Sequence, residues 1–167
     1  MSDGKFFGKY RGKVENNLDP QMMGRVQVSC PAVLGDGTQS WAMPCSPYGG
    51  PGVGFFAVPP VGADVWVEFE AGDPNLPILA GCFWAIGDVP ATPALASTKI
   101  WKTDTITLKL DDLQGAGGVT IQVDSPTVTM PISITCQSAG LEIKMGGSTI
   151  QLEGIKVSVN EGALEVM

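Results

Sequence analysis

The stretch that decides the fold class is residues 140–167, GLEIKMGGSTIQLEGIKVSVNEGALEVM. Apolar residues occupy alternate positions in short runs, the runs recur in steps of seven, and glycines stand between them. A coiled coil also repeats every seven residues, but it spaces its apolar residues by three and four, whereas a spacing of two is typical of a β-strand. The stretch therefore predicts short strands separated by turns. The apolar pairs are Ile143 and Met145, Ile150 and Leu152, Val157 and Val159, and Leu164 and Val166.

The same alternation starts upstream, at Ile106, and no aromatic residue follows Trp101. Such strands present one narrow apolar face, and a single chain built this way has no second layer to cover it. Its open edges would also promote aggregation. We therefore predict that three chains wind about a common axis as an intertwined trimeric β-helix, or β-prism, whose axis core is formed by the eight residues above. A monomeric β-solenoid and an ordinary β-sandwich are the alternatives, and a seven-residue unit is too short for the solenoid.

Composition excludes several classes of function. The chain has 167 residues, 10 Lys and Arg against 17 Asp and Glu, a net charge of −7 and no histidine. Nucleic-acid affinity depends largely on Lys and Arg, so an acidic chain is a poor candidate for it. Without histidine there is no Ser-His-Asp triad and no His-ligated metal. We expect no enzymatic activity, no cofactor and no metal. The four scattered cysteines are expected to be mostly buried thiols.

The N-terminal half predicts a small barrel. It contains five or six short strands separated by Gly- and Pro-rich turns, which is typical of the OB-fold. Residues 64–70, DVWVEFE, alternate well, and both Trp66 and Trp84 are expected to pack in the barrel. The overall prediction is an all-β protein with an OB-fold domain at residues 1–90, a linker at 91–97 and a trimeric β-helical needle at 98–167.

Three motifs in this half resemble the central spike proteins of contractile injection systems. They are GRVQVSCP at residues 24–31, PVGADVWVEFE at residues 60–70 and GDPNLPILAGCFW at residues 72–84. This family includes phage baseplate assembly protein V, the type VI secretion spike and the spikes of extracellular injection systems. In it, an OB domain is followed by a trimeric needle, the arrangement that the alternation also predicts.

The resemblance implies a structural role at the centre of a baseplate, where sheath contraction drives the spike through a target envelope. It implies a homotrimer, other baseplate components as partners and transient contact with the target membrane. Assembly would occur in the bacterial cytoplasm, and the finished baseplate would be part of a phage virion or of a device that is released. Larger relatives carry a hub domain before the OB domain, so we expect a separate hub protein. A PAAR-type tip protein is expected at the apolar end formed by Leu164, Val166 and Met167.

Two weaker hypotheses remain from the sequence. The Gly-rich loop with Tyr48, Gly49, Gly50, Pro51 and Phe55 is expected to contact the hub or a neighbouring subunit, and it lacks the Lys-Ser/Thr ending of a phosphate loop. The alternative function is an OB-fold binding module for nucleic acid or glycan. A carbohydrate hydrolase that uses an acid pair, Asp111 and Asp112, is a third reading.

Overall fold

The structure is a computed structural model that describes residues 4–166, apart from the side chain of Glu165. The chain divides between Asp88 and Val89 into two compact units, each described on its own. Strands and turns make up nearly all of both units, as predicted for an all-β protein. In the described part of the chain, no helix is long and apolar enough to span a membrane.

The first unit is a closed five-stranded barrel. Its strands are paired in the order β1-β2-β3-β7-β6, and β6 closes on β1. Only β3 and β7 run parallel, while the other neighbours are antiparallel. This pattern confirms the predicted OB-fold. The strands of this unit are β1 (Tyr10–Asn16), β2 (Val26–Ser29), β3 (Gln39–Pro44), β4 (Gly49–Gly50), β5 (Val53–Gly54), β6 (Asp64–Phe69) and β7 (Pro77–Cys82), with a short helix α1 (Pro31–Leu34).

The barrel interior contains small apolar side chains from alternate strand positions. On β6, Val65 and Val67 are fully buried and Phe69 nearly so, which places Trp66 on the outside. Trp66 stacks there on Phe83 at 4.7 Å between ring centroids. Trp66 thus packs on the outer surface of the barrel, whereas the packing expected of Trp84 is wrong, since Trp84 lies beyond the end of β7 with 64% of its surface exposed. The buried apolar residues are Val14, Val26, Val28, Cys30, Ala42, Val65, Val67, Phe69 and Leu79.

The cysteines also differ from the prediction. All four are free thiols, but only Cys30 is buried, in the barrel core. Cys45 and Cys82 are exposed beside the ends of β3 and β7, and Cys136 is exposed in the second unit. Burial raises the pKa of the Cys30 thiol, so its reactivity is suppressed. Since the other three thiols are exposed in the single chain, a loss of their reactivity in an assembly would show which surfaces become covered.

The second unit is one antiparallel sheet of eight strands. Each strand pairs with the next strand of the same chain, in the order β15-β14-β13-β12-β11-β10-β9-β8. The strands are β8 (Thr98–Lys102), β9 (Ile106–Asp111), β10 (Gly118–Val123), β11 (Ile132–Gln137), β12 (Gly140–Met145), β13 (Ser148–Glu153), β14 (Lys156–Val159) and β15 (Leu164–Val166). Pairing is thus local, and strands β9 to β14 have partners on both edges without help from another chain.

The turns of this sheet explain the step of seven in the sequence. Strands β12 to β15 begin eight residues apart, at residues 140, 148, 156 and 164, so seven is not the length of the structural unit. Two-residue turns join Met145 to Ser148 and Glu153 to Lys156 as opposite partners. These opposite partners are three residues apart in sequence, so one has an odd and the other an even number. Apolar residues that stay on one face therefore change from odd to even positions, or the reverse, at each of these turns, as Ile143 and Ile150 do. Gly146 and Gly154 begin these turns with φ of 58° and 56°, as type II′ turns require.

Candidate functional site: the apolar face of the C-terminal sheet

The strand registers of β8–β15 align apolar side chains into ladders on one face of the sheet, called the apolar face below. Residues directly opposite each other in an antiparallel pair project to the same side. The middle ladder crosses all eight strands through Trp101, Leu108, Ile121, Ile134, Ile143, Ile150, Val159 and Leu164. A second ladder contains Leu110, Val119, Cys136, Leu141, Leu152, Val157 and Val166, and a third contains Ile106, Val123, Ile132 and Met145.

The apolar face is exposed in the single chain. Ile134 and Ile143 are 37% and 38% exposed, and Leu164 at the end of the sheet is 60% exposed. The hydrophobic core, in contrast, is formed by residues of the barrel alone. Full burial of a Val, Leu or Ile side chain is worth about 1.5–3 kcal/mol, so a face this large creates a strong drive to associate. Contiguous apolar patches of this kind mark interaction surfaces.

The opposite face of the same sheet is polar. One row across it starts at Ile100 and continues through Lys109, Thr120, Thr135, Glu142, Gln151 and Ser158. Ser158 and Thr149 are buried polar residues of this face. The side chains of Gln151 and Glu142 are hydrogen bonded there at 2.7 Å, and Asn160 Oδ1 accepts from the Thr149 backbone N–H at 3.0 Å. The sheet is therefore amphipathic, with only one face suited to water.

All eight residues predicted for the trimer axis lie on the apolar face. Ile143, Ile150, Val159 and Leu164 belong to the middle ladder, Leu152, Val157 and Val166 to the second, and Met145 to the third. Their position on an axis stays a prediction, and Met167 lies outside the described residues. The heptad step in the sequence predicts the axis core only from Ile143 onward, whereas the register extends the same ladder back to Trp101. The apolar alternation is also present in β9 to β11, but the longer connections between these strands leave their register undetermined by the sequence.

The predicted contact loop forms a small two-stranded hairpin. Gly49 and Gly50 in β4 pair with Val53 and Gly54 in β5. Ser46 Oγ lies 2.9 Å from both the Tyr48 and the Phe55 carbonyl oxygen, so its single hydroxyl proton is shared between them at the base of the hairpin. Tyr48, Val53 and Phe55 are exposed. The assignment of this hairpin to a hub or subunit contact stays a prediction.

The basic side chains Lys9, Arg11 and Lys13, at the start of the barrel's first strand and just before it, all have partners on the barrel surface. Lys9 Nζ lies 2.8 Å from Glu68, and Lys13 Nζ lies 3.1 Å from Asp64. The Arg11 guanidinium stacks on Trp66, 5.1 Å from the ring centroid. The three cations are thus paired within the barrel surface and do not form a stripe of the kind that follows a nucleic-acid backbone.

The candidate acid pair lacks the environment of a catalytic acid. Lys109 Nζ lies 3.0 Å from Asp111 and lowers the pKa of that carboxyl. Asp112 is paired with Lys99. A glycosidase acid needs the reverse, a carboxyl whose pKa is raised so that it holds its proton. Within residues 4–166, no three His, Cys, Asp or Glu side chains are grouped so that they could hold a metal ion.

Comparison with known families accounts for both units. Residues 10–84 match the family described as the type VI secretion system/phage-baseplate injector OB domain. Residues 98–165 match the phage baseplate V C-terminal trimerisation domain. The chain belongs to the phage-baseplate and type VI secretion spike family.

Within this spike family, the chain is 37% identical over 71 residues to the type VI secretion system spike protein VgrG5 of Pseudomonas aeruginosa. The alignment covers 41% of this chain and 9% of that relative, so the chain spans a small part of its length. The trimerisation domain of the spike family coincides with strands β8–β15, the sheet that carries the apolar face. The C-terminal unit is therefore a trimerisation domain of this family, and the apolar face is its exposed surface.

Proposed function

We propose that this protein is the central spike at the baseplate of a contractile injection system, linking hub and inner tube to a tip protein and piercing the target envelope. The observation that carries the proposal is the apolar face, which crosses all eight strands of a trimerisation domain. Three such faces turned toward one axis bury each other and leave three polar faces toward water. The resulting trimer would be a rod with an apolar interior and a polar outer surface.

The strand lengths support a three-sided arrangement. Strands β9 to β13 each have six residues. At a rise of about 3.4 Å per residue, six residues span about 20 Å, and a triangle of that side places each sheet about 6 Å from the axis. This is close to half the ~10 Å that separates two sheets packed face to face. The middle ladders of three chains would then meet at the axis, as in a protein core.

A rod of this kind suits mechanical work. Six of the eight strands already have backbone partners on both sides, so the sheet resists bending and opening without any catalytic group. The work of penetration would come from the contracting sheath, and the spike would transmit it. Contact with the target membrane would be transient. We place assembly in the bacterial cytoplasm, with the finished baseplate released or incorporated into a virion.

The proposal assigns one partner to each end. The hub protein would bind the barrel through the hairpin of Tyr48 and Val53, whose side chains are exposed. The PAAR-type tip protein would bind at β15, where Leu164 and Val166 are about 60% exposed and β14 is the strand that pairs with β15 in the described chain. Both assignments rest on exposure and on the family, and each predicts a complex that can be reconstituted from purified components.

The test uses the purified full chain. We expect a trimer by light scattering that resists SDS without boiling, because separation of the chains must expose the whole apolar face at once. Cys136 is an internal probe, since it lies in the second ladder of that face. In the trimer it should react with N-ethylmaleimide about tenfold or more slowly than in the unfolded chain, as protected sites do. A stable monomer at micromolar concentration, with Cys136 freely reactive, would contradict the proposal.

A further inference from the structure

The barrel carries an open apolar cavity, called the Phe56 cavity below. Its volume is about 180 Å³, and its walls come from the ends of β3 and β7 and from residues 55–59. The side chains around it include Pro47, Phe55, Phe56, Leu79, Cys45 and Cys82, and no charged residue lines it. Ligand pockets usually hold about 300–1,000 Å³, whereas an apolar cavity of about 150 Å³ holds one benzene ring. The cavity has the size and chemistry to hold one large apolar side chain.

A protruding apolar segment lies elsewhere on the same barrel. Trp84 is 64% exposed and Ile86 is fully exposed, and these two residues with Ala85 are called the Trp84 segment. Phe83, just before it, is held on the outer surface by Trp66 and by the Arg11 guanidinium, which lies 4.7 Å from its ring centroid. The segment therefore starts beside β6 and β1, whereas the Phe56 cavity lies against β3 and β7.

A direct contact between barrels in a threefold ring would use two different surfaces of each barrel. In a ring of three identical chains, each contact joins one surface of a chain to a different surface of the next chain. The barrel offers two different apolar surfaces: the exposed Trp84 segment, which follows β7, and the open Phe56 cavity between the ends of β3 and β7. The residues 87–97 separate the Trp84 segment from β8, and a chain of that length reaches about 40 Å at most. Trimerisation through β8–β15 therefore holds the three barrels at a high effective concentration.

We propose that the Trp84 side chain of each chain inserts into the Phe56 cavity of the next chain, so that the three barrels form a closed ring. This inference rests on the proposed spike function, because it requires the trimer. It gives the barrel its own share of the trimer contact. It also assigns the side chain of Phe55 to a subunit contact, while the exposed tip of the nearby hairpin stays available to the hub.

The two exposed cysteines of the cavity provide the test. Cys45 and Cys82 both line it, so an inserted side chain should shield them from N-ethylmaleimide. Partial desolvation by the surrounding barrel raises the pKa of the Cys82 thiol, so all rates are compared at one pH. Modification of each cysteine is followed by peptide mass spectrometry in the wild-type trimer and in the double variant Trp84→Ala, Ile86→Ala. We expect the variant to remain trimeric. Both thiols should react at least about tenfold faster in the variant than in the wild-type trimer.

Two controls separate this inference from the trimer itself. Leu18→Ala removes another exposed apolar side chain of the same barrel and should leave the thiol rates unchanged. In a chain that is monomeric through Val157→Asp, Cys45 and Cys82 should react fast although Trp84 is intact. A wild-type trimer in which both thiols react as fast as in the double variant overturns the barrel contact and leaves the spike assignment standing. A wild-type chain that is monomeric overturns both.

Discussion

At the residue scale, one carboxylate organises the connection between β1 and β2. Asp19 is only 4% exposed in its side chain and is bonded to the Arg25 guanidinium at 2.8 Å. It also accepts from the backbone N–H groups of Gln21, Met23 and Arg25 at 2.9–3.2 Å. These donors favour the charged form and hold the pKa of Asp19 well below its usual range, with the Arg25 bond as the largest cause. Arg25 in turn stacks over Trp41.

Asp19→Asn should therefore destabilise the barrel in a pH-dependent way. Because the folded-state pKa of Asp19 is depressed, its ionised form stabilises the fold above the unfolded pKa of about 3.9, and this contribution fades as pH falls below that value. The variant should have a lower urea midpoint than wild type at pH 7, and the difference should shrink between pH 5 and pH 3. Asp36→Asn, at an exposed turn before β3, is the matched control and should shift the midpoint little at either pH. A difference between Asp19→Asn and wild type that is independent of pH would contradict the ionic role.

At the scale of elements, the sheet depends on glycines where two strands approach closely. Gly140 begins β12 with φ of 143°, and a Cβ added there would lie 2.0 Å from the Leu152 carbonyl oxygen of β13. A side chain cannot be accommodated without separating the two strands. Gly147, in the turn that joins the same two strands, has open space around it. Gly140 and Gly147 flank the same strand, but only Gly140 has a neighbouring backbone where a side chain would lie.

Gly140→Ala should destabilise the sheet by about 2 kcal/mol or more, since both the clash and the unfavourable φ act on it. Gly147→Ala should stay within about 1 kcal/mol of wild type. Thermal unfolding of the trimers, followed by circular dichroism and by loss of SDS resistance, measures both. Equal stability of the two variants would show that the register of β12 and β13 is not the one described.

At the scale of the whole molecule, the apolar face is what couples the chains. Val157 lies in the second ladder between Leu152 and Val166. Val157→Asp places three carboxylates in the trimer core without partners, and each buried unpaired charge costs several kcal/mol. The variant should run as a monomer in SDS without heating, and light scattering at low micromolar concentration should detect a monomer.

Lys144→Asp is the matched control, because Lys144 is exposed on the polar face of the same sheet and its replacement changes the charge by more. It should trimerise normally. If Val157→Asp keeps an SDS-resistant trimer, the apolar face is not the trimer interface.

Some of this protein follows from its sequence alone. The spacing of two, the absence of aromatic residues after Trp101 and the GRVQV and VWVEFE motifs indicate strands, an amphipathic sheet and an OB barrel. These features are local, since side-chain parity within a strand requires no knowledge of its partner. The need for self-association also follows, because an apolar face without a second layer cannot remain exposed to water.

The tertiary structure decided which strands are partners and therefore how the chain builds its face. Pairing depends on register, which long connections such as residues 124–131 leave open, so only the structure aligned Trp101 and Ile121 with Ile143. It showed that each strand of the second unit pairs with the next strand of its own chain, that Trp66 projects outward and that Cys45 and Cys82 line one cavity. Each of these depends on residues far apart in sequence, whose contacts exist only once the barrel and the sheet have closed.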